Sequence, residues 1–213
     1  MVQSGLAERG PTKQQVVADF RRGEILPAAR RVFARRGFRS ATVDEIAEEA
    51  RIAKGTLYLY FASKEEIYLK ALIQDVSVLR EETIRRLTHV RGARAKITEF
   101  IAVRSEHSRK NADFWRVYFS EFSNLATGTT PVSKAFQAQV QQSIELLSQV
   151  LREGMARKEI HTAPIAQTAY AVVDLMRSVI ERRLMGFVKS TAEEEVAFVM
   201  ELLWNGIGRG KRS

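Results

Sequence analysis

From residue 12 onward nearly every segment of this chain repeats its apolar side chains at the three- and four-residue spacing of an α-helix, and none shows the strict alternation of a half-buried strand. No internal repeat of solenoid type is present. The fold class this implies is all-α. With 213 residues, 45% of them hydrophobic, the chain holds enough apolar surface for a core that needs no staples. Cysteine is absent, which removes disulfides, thiolate metal sites and cysteine nucleophiles together and favours a reducing, cytoplasmic setting. No run reaches the roughly 18 apolar residues that span a bilayer, and the first residues lack the apolar centre of a signal peptide. A soluble protein is expected.

The charge balance points to a polyanion. The formal net charge is +9, and residues 1–64 hold twelve Lys or Arg against seven Asp or Glu, so the first third carries more than half of the excess. Basic side chains facing phosphates gain affinity by releasing condensed counterions. A merely basic surface is the plain alternative at this level. Residues 1–11 read as a flexible arm and Arg209 to Ser213 as a frayed basic tail.

The first structured segment, from Thr12, carries Ile25, Ala29, Val32 and Phe33 on one face and stops at Gly37, after the basic pair Arg35-Arg36. Pro27 lacks an amide donor and crowds the carbonyl of Gly23, which predicts a kink or restart near Gly23. Thr42-Val43-Asp44-Glu45 is a capping box that opens a short helix to Ala50. Arg51-Ile52-Ala53 must then turn the chain into a second short helix, Lys54 to Phe61. Ser63-Lys64-Glu65-Glu66, again a capping box, starts a longer one.

Two short helices joined by a turn of three or four residues, the second rich in small, hydroxyl and aromatic side chains, fit a helix-turn-helix whose second helix enters the DNA major groove. Ordinary bundle helices are the competing reading. Leu57 and Phe61, four apart, are core anchors. Lys54, Thr56, Tyr58 and Tyr60 point elsewhere, and two tyrosines exposed on so small a helix suit phosphates and base edges.

The run Ile46-Ala47-Glu48-Glu49-Ala50-Arg51-Ile52-Ala53-Lys54-Gly55-Thr56-Leu57-Tyr58-Leu59-Tyr60-Phe61, followed by Ser63-Lys64-Glu65, resembles the signature of the tetracycline-repressor (TetR) family of transcriptional regulators. Ile25 to Phe38 resembles that family's first helix. The likeness covers residues 20–72, about a quarter of the chain; the remainder matches in length and helicity only. It implies an N-terminal three-helix DNA-binding domain (12–62) and a C-terminal helical bundle for ligand binding and dimerisation (63–213). It further implies phosphate contacts from Thr42, Lys54, Tyr60 and Lys64, with Gly55, Thr56 and Tyr58 at base edges. Leu59 stands where the family often has a polar reader, so it meets a thymine methyl or makes no base contact. Arg51 replaces the usual glycine at a position of positive φ, a cost of about 1 kcal/mol that a phosphate contact would offset in part. Ala53 replaces the usual serine, leaving the recognition helix without a side-chain cap.

Beyond residue 63, helices are expected at 63–90, 93–110, 113–126, 131–157, 164–187 and 191–207, broken by Gly92, Asn111, Gly128 with Pro131, Pro164 and Thr191. Trp115, Tyr118, Phe119 and Phe122 recur on one face at spacings of 3, 4 and 7. For any single aromatic, core packing is the simpler reading. Arg104, His107, Tyr170, Asp174 and Arg177 interrupt apolar faces nearby, and aromatics mixed with a few polar groups describe a small-molecule pocket. The last two helices are apolar over a wide arc, and Val172, Leu175, Val179, Val199, Leu203 and Trp204 are candidates for a dimer interface. The resemblance implies a two-fold four-helix bundle there, which sets two recognition helices about 34–36 Å apart on a palindromic operator.

The expected function is therefore that of an effector-released repressor acting as a homodimer on double-stranded DNA, without cofactor or metal. A constitutive or architectural DNA-binding protein is the alternative. An enzyme has little to stand on: His89, His107 and His161 are scattered, and no phosphate loop or zinc motif occurs. The basic residues are too dispersed for a membrane-surface helix.

Overall fold

The computed structural model describes residues 13–161 and 163–207, and its side chains are described for 20–161 and 163–205. The expected N-terminal arm and basic tail lie outside these residues. Among them the regular elements are nine α-helices and one short 3-10 turn: α1 (Lys13–Ser40), α2 (Val43–Glu49), α3 (Lys54–Tyr58), α4 (Lys64–Leu87), α5 (Ala93–Lys110), α6 (Ala112–Glu121), the turn Ser123–Ala126, α7 (Pro131–Ala156), α8 (Ile165–Leu184) and α9 (Ala192–Ile207). The breaks at Gly92, Asn111, Gly128 with Pro131, Pro164 and Thr191 fall where the sequence marks them, whereas the helix expected over 113–126 is broken at Phe122 and the second short helix ends at Tyr58 rather than Phe61.

Two local expectations need correction. The chain keeps helical φ/ψ through Gly23 and Pro27, and the departure within α1 is at Gly37, with φ 72° and ψ 170°. Gly23 and Pro27 both lie on the exposed side, where solvent meets the carbonyl that proline leaves unpaired. At the start of α4, Ser63 Oγ accepts from the Glu66 amide, but the Glu66 carboxylate reaches back to the amide of Ala62 rather than to that of Ser63.

One continuous apolar core runs through the molecule. α1 packs on α4 and α6, while α5 occupies the middle of the bundle among α4, α7, α8 and α9. The joint between the first three helices and the bundle is aromatic. Phe33, Phe38, Tyr68, Phe114 and Phe122 form edge-on and stacked pairs with centroids 4.7–5.8 Å apart. Such pairs contribute about 0.5–1.5 kcal/mol each beyond their burial. The Tyr68 hydroxyl donates to the Phe114 carbonyl at 3.1 Å, and burial pushes its phenol well above the ordinary value. α7 crosses α5 closely at Gly154, where an added Cβ would stand 2.5 Å from that of Ala93.

Buried ions tie the C-terminal half of α5 to α8 and α9. Glu195 on α9, 2% exposed, accepts from Ser105 at 2.5 Å, Arg183 at 2.6 Å, Ser190 at 2.9 Å and Arg109 at 3.0 Å, which joins α5, α8 and α9 at one carboxylate. A buried charge so fully hydrogen-bonded fixes geometry more than it adds stability.

Candidate functional site

α2, its turn and α3 make the candidate nucleic-acid face. Both bonds of the Thr42 capping box are present: Thr42 Oγ1 accepts from the Glu45 amide at 3.2 Å, and the Glu45 carboxylate accepts from the Thr42 amide at 2.9 Å. That second bond, ahead of its ion pair with Arg36, holds the Glu45 carboxyl below its usual range. α2 ends in a Schellman cap. The Ile52 amide reaches the Ala47 carbonyl at 3.0 Å, the Arg51 amide reaches that of Glu48 at 2.9 Å, and Arg51 carries φ 56°. A glycine adopts this conformation without cost, whereas Arg51 pays the steric penalty of its Cβ. The N-cap of α3, Ala53, makes no side-chain cap bond.

Leu57 and Phe61 are buried, at 0% and 2%, and anchor α3 against the core. Arg51, Lys54, Gly55, Tyr58 and Leu59 are thereby exposed on one surface, with Thr56 and Tyr60 half-buried beside them. Tyr58 is 49% and Leu59 79% exposed, large apolar surfaces that no neighbour covers. At Gly55 the space where a Cβ would stand is open, so a partner's backbone could approach closely. Lys54 Nζ donates to Asp44 at 2.9 Å, a bond that raises its pKa and holds the ammonium at the lip of the turn. Besides Lys54, two more of the residues implied to hold phosphates are engaged within the chain. Thr42 Oγ1 donates to Glu45 at 3.1 Å; Lys64 Nζ donates to the carbonyls of Ala41 at 2.8 Å and Arg39 at 3.2 Å and sits 4.7 Å from the Phe38 ring.

The second candidate site is a cavity of about 760 Å³ between α4, α5, α6, α7 and α8. Arg104, His107, Trp115, Tyr118, Phe119, Tyr170, Asp174 and Arg177 all line it. Phe122 does not. It turns toward the joint instead, stacked on Tyr68 at 4.7 Å and edge-on to Phe38 at 4.8 Å, because α6 ends at Glu121 and the chain leaves the helical wheel at Phe122. Tyr170, Asp174 and Arg177 stand at the exposed rim, whereas Arg104 and Tyr118 are buried, at 7% and 1%. Arg104 Nη1 donates to the Phe100 carbonyl at 2.9 Å, and its plane lies 3.3 Å from the Phe100 ring. Burial pushes the Arg104 guanidinium down to about 9.

Asp75, which the sequence reading passed over, joins this cavity to the DNA-binding helices. It is fully buried on α4 and accepts from Trp115 Nε1 at 2.8 Å; His107 Nε2 lies 2.7 Å from the same oxygen. Its other oxygen pairs with Arg30 of α1 at 2.5 Å. Arg30 also bonds Asn111 and covers the Phe114 ring. The signal was available, since an acid between Leu72 and Val76 interrupts an apolar face just as Arg104 does. The long helix α7, which supplies Phe136, Val140 and Ile144 to the lining, was likewise missed, because its lining residues look like any core stripe.

Of the interface candidates, Val172 and Val199 are buried within this chain, at 1% and 0%, and must be withdrawn. Leu175, Val179, Leu203 and Trp204 are half-buried, and Trp204 lies under Arg94 at 5.0 Å. Among the described residues, the large apolar side chains exposed on α9 are Phe198 and Leu202, each 51% exposed.

Comparison with known proteins agrees with this architecture. Residues 25–71 match the family described as bacterial regulatory proteins, tetR family. The transcriptional repressor KstR2 of Mycobacterium tuberculosis is 30% identical over 149 residues, which cover 66% of this chain and 71% of KstR2. The chain belongs to the TetR family of helix-turn-helix transcriptional regulators. Among solved structures, FadR from Bacillus subtilis in complex with stearoyl-CoA superposes with a TM-score of 0.74 at 22% identity, over 86% of this chain and 98% of FadR. A putative regulator from Saccharomonospora viridis in complex with choline gives 0.77 at 18% identity, over 90% and 100%. The fold is thus common to proteins whose ligands have nothing in common.

Proposed function

We propose that this chain is a repressor whose homodimer grips a palindromic operator through the α3 face and releases it when a small molecule occupies the cavity. The observation that carries the reading is the exposed surface of Arg51, Lys54, Gly55, Tyr58 and Leu59, presented by the turn between α2 and α3 in which Arg51 holds a positive φ. The division into a DNA-binding unit at 12–62 and an effector and dimer unit at 63–213 belongs to the same proposal. KstR2 is a repressor, and FadR holds an acyl-CoA on this fold, which supports the effector arm. Half-buried Leu175 and Val179 on α8, with Phe198 and Leu202 on α9, form the apolar face for a second copy. Asp75 gives the coupling a physical route: a ligand that moves His107 or Trp115 disturbs the carboxylate on which Arg30 of α1 rests.

The test is selection of bound sequences from random duplexes, with the stoichiometry of the resulting complex measured by light scattering. An inverted repeat bound by two chains, with half-sites about one helical turn apart, is the expected result. Selection that recovers no common sequence would remove the operator reading and return the architectural alternative.

A further inference from the structure

The cavity lining is electrically unbalanced. Arg104, Lys134 and Arg177 stand against Asp174 alone, since His107 is already engaged by Asp75. Of the three cations only Arg104 is buried, and among the described residues it has no carboxylate partner. A guanidinium carries five N–H donors, and the protein supplies Arg104 with a single acceptor, the Phe100 carbonyl. Tyr118, whose ring lines the same cavity, has a buried hydroxyl without a partner. Arg104, with one carbonyl for its five donors, and Tyr118, whose hydroxyl has no partner, line a cavity to which Val76, Phe119, Phe136, Ile144, Met176 and Ile180 give apolar wall, and an oxyanion there would supply the acceptors they lack.

A hydrocarbon tail entering first, as the acyl end of a thioester conjugate would, leaves both donors stranded. A cationic head meets repulsion. We infer that the effector is an amphipathic free carboxylate, its head against Arg104 and Tyr118 and its apolar body along the α4, α7 and α8 side chains. This rests on the proposal that the cavity is the effector site, and it narrows that proposal to one chemical class.

The test uses the full chain without DNA, titrated by calorimetry with decanoate, 4-phenylbutyrate, decanol and decanoyl-coenzyme A. The expected result is that at least one of the two carboxylates binds, and that decanol binds about tenfold to a hundredfold more weakly than decanoate, the loss expected for a charge-assisted hydrogen bond. Arg104→Met abolishes that preference, and Tyr118→Phe, which keeps the ring and its packing, narrows it. Failure of both carboxylates to bind overturns the inference, as does equal binding of decanol. So does binding of decanoyl-coenzyme A that is tighter than that of decanoate and indifferent to Arg104→Met. Release of the selected operator is measured separately. Carboxylate binding without release would sink the effector reading and leave the carboxylate site standing, whereas operator binding without carboxylate binding would do the reverse.

Discussion

Arg51 is the residue at which the proposed DNA contact carries the clearest cost to folding. Its φ of 56° is the conformation a Schellman cap demands after α2, and an L side chain there is disfavoured by about 1 kcal/mol. Arg51→Gly is therefore expected to raise stability by up to about 1 kcal/mol in urea denaturation, and to weaken operator binding by removal of a phosphate contact. A variant that is both less stable and unchanged toward DNA would show that Arg51 has some other role. This strain was legible in the sequence, because the shape of the turn is set by local bonds and the family pattern places a glycine there. The uncapped Ala53 was legible for the same reason. Phe122 was not, since its direction depends on α6 ending one residue earlier, and nothing local forces that end. Val172 and Val199 were misplaced for a related cause. On a helix apolar around a wide arc, the spacing alone does not say which stripe meets the chain's own core and which is left for a partner.

At the scale of elements, α4 is the helix that touches both ends, and the proposed coupling runs along it. It begins beside the DNA-binding turn, where Lys64 caps the carbonyls of Arg39 and Ala41, and carries Asp75 in its middle. Further along, Arg86 is paired with Glu106 at 2.7 Å and with Glu99, which fastens α4 to α5 and raises the guanidinium pKa further. The contact most exposed to a ligand is the Asp75 cluster, because two of its members, His107 and Trp115, line the cavity. If Arg30 and Asp75 act as a unit, a double-mutant cycle of Arg30→Ala and Asp75→Asn should give a coupling energy of about 1–3 kcal/mol in urea denaturation. A coupling near zero would mean that α1 rests on α4 through its aromatic contacts alone. The helix starts were readable to within a residue or two where glycine, proline and capping boxes mark them, while the ends of α3, α4, α6 and α8 fall three to five residues short of expectation. The ionic cluster was not, because it draws on four helices that sequence spacing cannot bring together.

For the whole molecule, the net charge of +9 is less available than it looks. Around the DNA-binding helices Arg31 and Arg35 share Glu49, Arg36 pairs with Glu45, Arg39 with Glu121 and Lys54 with Asp44. These are exposed pairs, each of little energetic weight, so phosphates can compete for them. The electrostatic part of binding should then come from a few positioned cations rather than from the bulk charge. The Glu195 cluster holds α5 through Ser105 and Arg109, on either side of His107 in sequence, and ties that part of α5 to α8 and α9. The central claim is that the α3 surface reads DNA. The measurement that tests it most directly is affinity for the selected repeat as a function of salt, for the wild type, Lys54→Ala and Tyr58→Ala. The wild type should prefer the repeat over scrambled duplex, with a steep salt slope. Lys54→Ala should weaken all duplexes alike and lower that slope by about 0.9, the share of one phosphate, and Tyr58→Ala should erode the preference for the repeat. Equal binding of repeat and scrambled duplex by the wild type, or affinities unmoved by both substitutions, would contradict the account.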